Sequence, residues 1–541
     1  MNQLNDTDFG QKIRDLIDGL KGICASYGLG NDGNEFKIIT QVFLYKLMND
    51  KFAFEVKQAV PEVLEGGQSW ESALRGMSEE DYEFMLLQLP SNTANLKPDH
   101  FIATLYEKQN DKNFAKLFDD TLIDIAFQNN EIFSVKTEGD TKIPLFDRVS
   151  EFITDTSKRD NFCRAVINQL IKFSAEHIFT QKYDFFATLF EYLIKDYNKD
   201  SGGKYAEYYT PHAVARIMAA ILVSQPVQDV TVYDPSAGSG TLLMSLAHAI
   251  GEERCTIYSQ DISQKSSSLL RLNLILNNLV HSIPNIIQGN TLEHPYHKDG
   301  AQLAKFDYIV SNPPFKMDFS DYVGKLGKGS RFFAGIPNVP NKAKDKMAIY
   351  TLFLQHIIYS LKPKGKAAVV VPTGFITAQS GIDRAIREKL VNERMLAGVV
   401  SMPSNIFATT GTNVSILFMD RGNQGDVVLI DASGLGETVK DGKNQKTVLT
   451  EVEEAQIIST FNEKKAVDDF SVVVSYEEIA AKNYSLSAGQ YFDVKIEYVD
   501  ISQDEFEEKL RSFSSNLDRF FAESGDLEVE IKKQLAGLKY E

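Results

Sequence analysis

Only three cysteines, Cys24, Cys163 and Cys255, are spread over 541 residues. They are odd in number, far apart and not in CxxC spacing. That excludes a disulfide framework and a thiolate metal site, and it points to a reducing compartment. Basic side chains are in deficit, with 57 Lys+Arg against 74 Asp+Glu and a net charge of −17. The average surface therefore repels a polyanion, and any nucleic-acid contact must use a local basic face or a partner subunit. No apolar run approaches the roughly 18 residues of a membrane span. Met1 to Asp6 lacks the basic and apolar segments of a signal peptide, so the expected location is cytoplasmic, with no membrane partner. Of the eight histidines, only His294 and His297 stand in HxxH spacing. With no further ligands nearby they read as surface residues, and no metal is expected. A chain 43% hydrophobic and 24% charged is neither disordered nor fibrous. At roughly 150 residues per domain it holds about three or four domains.

Residues 1–165 read mostly as helix. In Glu35 to Phe52, Ile39, Phe43 and Leu47 fall at i, i+4 and i+8 with Phe36 beside them, one apolar stripe of a packed helical domain. From 166 to 425, short β-rich runs alternate with amphipathic stretches: 230–233, 256–258, 306–310, 367–371 and 397–400. That alternation predicts an α/β domain with a mainly parallel sheet covered on both faces. The run 414–419 follows without a long helix and reads as an antiparallel addition near the sheet edge. Residues 426–495 form a less regular α/β extension. The tail, 496–541, is helical again. There Phe506, Leu510, Phe513, Leu517 and Phe520 step by 4, 3, 4, 3, a heptad-like seam. Gly525 then predicts a break, with Leu527, Ile531, Leu535 and Leu538 on a second, shorter helix. Such a pair docks either on its own chain or on a partner.

Three short elements carry the chemistry. Asp234-Pro235-Ser236-Ala237-Gly238-Ser239-Gly240-Thr241 follows the strand 230–233 and opens a helix. Its glycines let backbone N–H groups approach a ligand, and a helix N-terminus favours a negative group such as a carboxylate. Asp261 lies 21 residues after Gly240, just past the next strand, where an acidic side chain suits a ribose diol. A tight turn with an acidic cap would leave the same trace. The third glycine of the dinucleotide fingerprint is missing. The run Gly324 to Ser330 lacks the order of a phosphate-binding P-loop and follows no strand. The second element, Asn312-Pro313-Pro314-Phe315, follows the strand 306–310. Its prolines donate nothing. What remains is a pair of acceptors, the Asn312 side-chain carbonyl and the Pro313 backbone carbonyl, with the Phe315 ring. Such a set can grip an exocyclic amino group and stack its ring. The third element is Glu207-Tyr208-Tyr209-Thr210-Pro211-His212. Thr210 reads as a helix N-cap with Pro211 at N1; the alternative is a turn that closes over the cofactor.

The order EYYTP, DPSAGSG, NPPF resembles the gamma-type amino-methyltransferases. More narrowly, the chain resembles the modification (M) subunit of type I restriction–modification systems. The likeness runs over essentially the whole chain, through FLYKLMNDKF near residue 50, Glu191 to Ile194, Met402 to Phe407, Ile430 to Ser433, Lys443 to Gln445 and Asn483 to Leu486. It implies a Rossmann-like methyltransferase fold with a helical N-terminal domain and a helical C-terminal tail. It also implies transfer of a methyl group from S-adenosylmethionine to N6 of adenine in a bipartite DNA site. Carried over by position, Glu207, Tyr208, Tyr209, Thr210, Pro211 and His212 surround the methionine end of the cofactor together with Asp234, Ser236, Gly238, Ser239, Gly240 and Thr241. Asp261 holds the ribose, and Asn290 meets the cofactor's adenine. Asn312, Pro313, Pro314 and Phe315 bind a flipped target base. The family often has Glu where this chain has Asp261, and commonly Asp where it has Asn290.

The implied partners are double-stranded DNA, a specificity (S) subunit with a second M subunit, and a restriction (R) subunit. The stretch Lys316 to Lys346 holds seven basic and three acidic residues, +4 against a chain of −17. It is expected either to lie along DNA or to be a solvated loop. The heptad seam is the candidate surface for the S subunit. No cysteine sits in the Pro-Cys setting that a C5-cytosine enzyme needs. Two alternatives remain: methylation of N4 of cytosine or of a protein glutamine, and a catalytically idle assembly subunit.

Overall fold

The computed structural model describes residues 2–30, 33–172, 174–180, 210–327, 329–407, 413–441, 444–493 and 501–536. They divide into two compact units, 1–491 and 492–541. Four long helices frame the start of the first: α1 (Asn2–Ser26), α2 (Gly33–Ala59), α3 (Phe114–Gln128) and α4 (Arg159–Leu170). Phe36, Ile39, Phe43 and Leu47 of α2 are all buried. So are Ile38, Val42, Tyr45 and the Lys46–Asp50 ion pair at 2.9 Å, so α2 runs through the core rather than along its rim. A helix buried this fully must pair its charges internally.

Eleven strands form one sheet. In chain order they are β1 (Val135–Thr137), β2 (Lys142–Ile143), β3 (Val230–Asp234), β4 (Cys255–Asp261), β5 (Ile286–Gln288), β6 (Phe306–Ser311), β7 (Leu361–Pro372), β8 (Leu396–Ser401), β9 (Val414–Asp420), β10 (Val427–Asp431) and β11 (Ser471–Val474). Across the sheet the order is β11-β10-β8-β9-β7-β6-β3-β4-β5-β1-β2. Strands β5, β4, β3, β6 and β7 run parallel. Connecting helices α5 (His212–Leu222), α6 (Thr241–Ile250), α7 (Gln264–Leu276), α8 (Tyr350–Ser360) and α9 (Gly381–Asn392) bury their apolar faces, as parallel crossovers require. Strand order reverses at β3, with β4 and β5 on one side and β6 and β7 on the other. Open α/β sheets bind ligands at such a point, at the carboxyl ends of the strands.

β9 is antiparallel, but it is not at an edge: it pairs with β7 and β8, and β10 and β11 lie beyond β8. The sheet therefore continues past residue 425. Helix α10 (Glu451–Asn462) returns to α5 through a two-pronged Arg216–Glu454 pair at 2.7 and 2.9 Å. At the other edge the hairpin β1–β2 from the N-terminal helical region joins the sheet through β1, which pairs with β5. One apolar cluster runs from Ile13 to Phe470.

The second unit contains α11 (Gln503–Ala536), 34 residues with no buried side chain. The expected break at Gly525 does not occur, and one helix of about 51 Å replaces the helix pair. A glycine in a helix interior costs about 1 kcal/mol, too little to stop 34 residues of otherwise good helix formers.

Candidate active site

The site is built from the tips of β3, β4 and β6. The turn after β3 tightens because Gly238 (φ +53°) and Gly240 (φ +85°) adopt left-handed backbone. A Cβ on Gly240 would lie 2.3 Å from Leu270 Cδ1, so any side chain here would have to displace that methyl as well as adopt left-handed backbone. The Asp261 carboxylate, from the tip of β4, accepts the Gly238 N–H at 2.9 Å and the Ser263 N–H at 2.8 Å. It therefore staples the glycine turn to its neighbouring strand. Each oxygen keeps a lone pair beyond that contact. Ser236 Oγ lies 2.7 Å from Ser311 Oγ at the end of β6, which joins the turn to the strand that carries Asn312.

Asn312 Nδ2 donates to Thr210 Oγ1 at 3.2 Å. That bond commits the donor half of the amide and leaves its Oδ1 as an acceptor. Thr210 is thus not the cap: α5 begins at His212, with Pro211 at the N-cap position and no side-chain cap bond. The threonine hydroxyl is turned to the asparagine instead. Glu207, Tyr208 and Tyr209 lie outside the described residues.

One cavity gathers Thr210, Asp234, Ser236, Ser239, Thr241, Asp261, Asn290, Asn312 and Pro314. Pro313 is buried, and the half-buried Phe315 ring meets Tyr350 edge-to-face at 6.2 Å, so the aromatic end of the NPPF element packs toward α8. Asn290 Oδ1 accepts from the N–H groups of Leu292 and Glu293 at 3.1 and 3.3 Å, and its side chain also reaches the Tyr322 hydroxyl. The same cavity has an apolar wall absent from the motif reading: Ile262, Leu292, Met317, Ile349 and Phe353. Ile262 is 56% exposed, an unusual state for an isoleucine at a strand tip, and suits the face of a flat heterocycle. Its position next to Asp261 is the one sequence signal that would have found it. The rest of the wall comes from Leu292 and the 316–353 segment, and no spacing betrays it.

Burial dominates the electrostatics. Asp234, 1% exposed, is pushed up to about 7 by burial, although the Ser236 N–H at 2.9 Å and the Ser311 hydroxyl oppose the shift. Burial also raises Asp261, against its two backbone donors. A cation brought into the cavity would draw both toward the ionised form. His297 corrects the surface reading. It is half-buried against Tyr233, Tyr258 and Phe306, its Nε2 lies 3.0 Å from the Ser259 carbonyl, and burial lowers it to about 4. Among the described residues no three His, Cys, Asp or Glu side chains cluster so as to hold a metal ion.

The basic stretch is not an open loop. Phe319, Leu326, Phe332 and Met347 close over Leu292 and Phe353 in a small core of their own. Lys325, itself exposed, pairs with Glu293, and the half-buried Arg331 donates to the Leu292 carbonyl, so both are engaged by groups of this chain. Lys316, Lys342, Lys344 and Lys346 remain exposed.

Comparison with known proteins agrees with this geometry. The type I restriction enzyme MpnII methylase subunit of Mycoplasma pneumoniae is 28% identical over 364 residues, 66% of this chain and 64% of that protein. The MjaIX methylase subunit of Methanocaldococcus jannaschii is 27% identical over 68% of this chain and 65% of its own length. In both, the match spans just under two thirds of the relative. The HindI methylase subunit of Haemophilus influenzae is 26% identical over 78% of this chain and 93% of that one. In fold, the chain is similar to the crystal structure of the type I restriction-modification system methyltransferase subunit from Streptococcus thermophilus. The TM-score is 0.70 at 23% identity, covering 90% of this chain and all of that one. The family model described as N-6 DNA Methylase matches residues 181–499, more than half of the sequence, and the chain belongs to that family.

Proposed function

We propose that this chain is the modification subunit of a type I restriction–modification complex. Its reaction is methyl transfer from S-adenosylmethionine to N6 of an adenine flipped out of duplex DNA. The observation that carries the reading is the single cavity in which the glycine turn and Asn312 meet at the switch point of the sheet.

The residues present fit the cofactor. Ile262, Leu292 and Phe353 offer apolar surface for its adenine, Asp261 keeps lone pairs for the ribose diol, and the raised Asp234 gains a counter-charge when a cationic group enters. When bound, S-adenosylmethionine supplies an electrophilic methyl group on a sulfonium. The protein's part is positioning and electrostatics. Thr210 orients the Asn312 amide. Asn312 Oδ1 and the Pro313 carbonyl accept the two N–H groups of the target amine, which directs its lone pair at the methyl group. Phe315 takes the face of the base. Extruding that base from the duplex costs a few kcal/mol, returned by these contacts.

DNA runs along the exposed lysines 316, 342, 344 and 346. The α11 seam docks on helices of a specificity subunit that binds two copies of this chain, and a restriction subunit completes the complex. The S subunit brings the sequence-reading surface that an acidic chain lacks.

The test is methylation of duplex DNA by the complex with its S subunit, read by nucleoside mass spectrometry. N6-methyladenine is expected. Asn312→Ala should lower kcat by about 10²–10³-fold with cofactor affinity unchanged. N4-methylcytosine, or label in protein glutamine, would overturn the substrate assignment. Calorimetry that detects no S-adenosylmethionine binding would mark an idle assembly subunit.

A further inference from the structure

We infer that Glu138, contributed by the N-terminal helical region, is a positioning residue for the adenine end of the cofactor site. The inference rests on the reading that Asn290 faces that adenine.

β1 pairs in parallel with β5 through Lys136↔Ile287 and Thr137↔Gln288. The Glu138 N–H continues the ladder, donating to the Gln288 carbonyl at 3.0 Å. This register sets Glu138 beside Gly289 and Asn290, about 150 residues away in sequence. Glu138 Oε2 accepts the Asn290 backbone N–H at 2.9 Å. The space it fills is the space a side chain at 289 would need: a Cβ there would lie 2.4 Å from Glu138 Oε2 and 2.8 Å from Glu138 Cβ. Glycine stands at 289 because the carboxylate passes over it. φ at Gly289 is not in the left-handed region, so no backbone requirement explains the glycine. Two residues on, Asp140 Oδ1 accepts the Tyr296 hydroxyl. The hairpin tip thus holds both ends of the segment 289–296.

Asn290 is anchored at several points, among them its carbonyl, which accepts the His294 N–H at 2.8 Å. Its own Oδ1 caps Leu292 and Glu293, its side chain reaches Tyr322, and its backbone N–H is held from outside by Glu138. The last ties the residue to the N-terminal hairpin and, together with the Gly289 N–H donated to the Asp261 carbonyl at 2.8 Å, sets where it stands at the end of β5. Removing it frees the wall of the cavity without touching Asn312 or the glycine turn.

Four variants test this in the full chain with its partner: Glu138→Ala, Glu138→Gln, Gly289→Ala and the double variant Gly289→Ala/Glu138→Ala. The readouts are the Kd for S-adenosylmethionine by calorimetry, kcat at saturating cofactor, and melting temperature. Glu138→Ala should weaken binding about tenfold. Its melting temperature and saturated kcat should match the wild type. Glu138→Gln keeps an oxygen acceptor of the same reach and should stay within about twofold. Gly289→Ala should expel the carboxylate and bind as poorly as Glu138→Ala. The double variant keeps a Cβ at 138 but has no carboxylate left to expel, so it should bind no worse than Gly289→Ala alone. Wild-type affinity in Glu138→Ala, or losses that multiply in the double variant, would overturn the inference alone. A wild-type chain that bound no S-adenosylmethionine would overturn the functional reading and this inference with it.

Discussion

Asp234 is held where water cannot reach it, and its chemistry follows. A carboxyl whose folded pKa of about 7 exceeds its unfolded value keeps its proton longer in the folded chain. The stability it contributes is complete below pH 4 and is lost as pH rises through 7, on the order of 4 kcal/mol across that window. Asp234→Asn should therefore raise the melting temperature at pH 8 and flatten its dependence between pH 4 and 7, while weakening the cofactor. Calorimetry at pH 6 in two buffers of different ionisation enthalpy should show proton release on cofactor binding by the wild type and none by the variant. Gly240 was legible as a turn glycine, but its packing against Leu270 was not, because that contact joins segments 30 residues apart. Gly240→Ala combines a left-handed backbone with an overpacked methyl and should cost about 2–4 kcal/mol in urea unfolding. Asp261 shows the limit of reading a motif. Spacing located the carboxylate at a strand tip, yet its first task is to receive the N–H of Gly238, a bond that exists only once the two turns meet.

Elements with a strong period were readable, and elements held by tertiary contact were not. The parallel strands announced themselves as β-branched runs. Their antiparallel neighbour β9 was found as a strand but misplaced at the edge, since nothing in 414–419 says that β10 and β11 will extend the sheet beyond β8. The 316–347 segment was read from its charge alone. Its apolar residues are scattered without period, yet Phe319, Leu326, Phe332 and Met347 fold it onto Leu292. Pairing of the exposed Lys325 with Glu293 and of Arg331 with a carbonyl narrows the expected nucleic-acid contact to Lys316, Lys342, Lys344 and Lys346, the other exposed lysines described in this stretch. Reversing Lys342, Lys344 and Lys346 to glutamate should reduce the slope of log K against log salt for duplex DNA by about three. An unchanged slope would remove this segment from the DNA path. For α11, ten large apolar residues stay exposed along 34 residues, from Phe506 to Leu535. On the proposed reading, helices of a specificity subunit bury that seam. Phe513→Asp with Leu517→Asp should leave the melting temperature unchanged and abolish co-purification with the S subunit.

Across the molecule, the N-terminal helical region and the sheet share one apolar cluster, and the hairpin β1–β2 makes the contact specific. A division into a helical domain followed by a catalytic one follows from periodicity, because periodicity reports local structure. It has no access to a three-residue strand that crosses to another region's sheet. Arg271 of α7 is where the two regions are bolted. It is 5% exposed, and its guanidinium reaches the carbonyls of Ile143, Pro144 and Leu145 at 3.3–3.5 Å, with burial lowering it to about 10. These carbonyls lie at the end of β2 and just after it, so Arg271 grips the base of the hairpin whose tip holds Asn290. Arg271→Met keeps the apolar stem but leaves three carbonyls without their donor, at a cost of about 1–3 kcal/mol. Because this base and the β5 pairing carry the hairpin whose tip contacts Asn290 and Tyr296, the loss should not stay local. Hydrogen exchange should quicken together in 135–145 and in 288–296, and the Kd for S-adenosylmethionine should rise while kcat at saturation holds. Faster exchange confined to 135–145, with cofactor affinity intact, would show that the N-terminal region is a passive neighbour of the site rather than one of its walls.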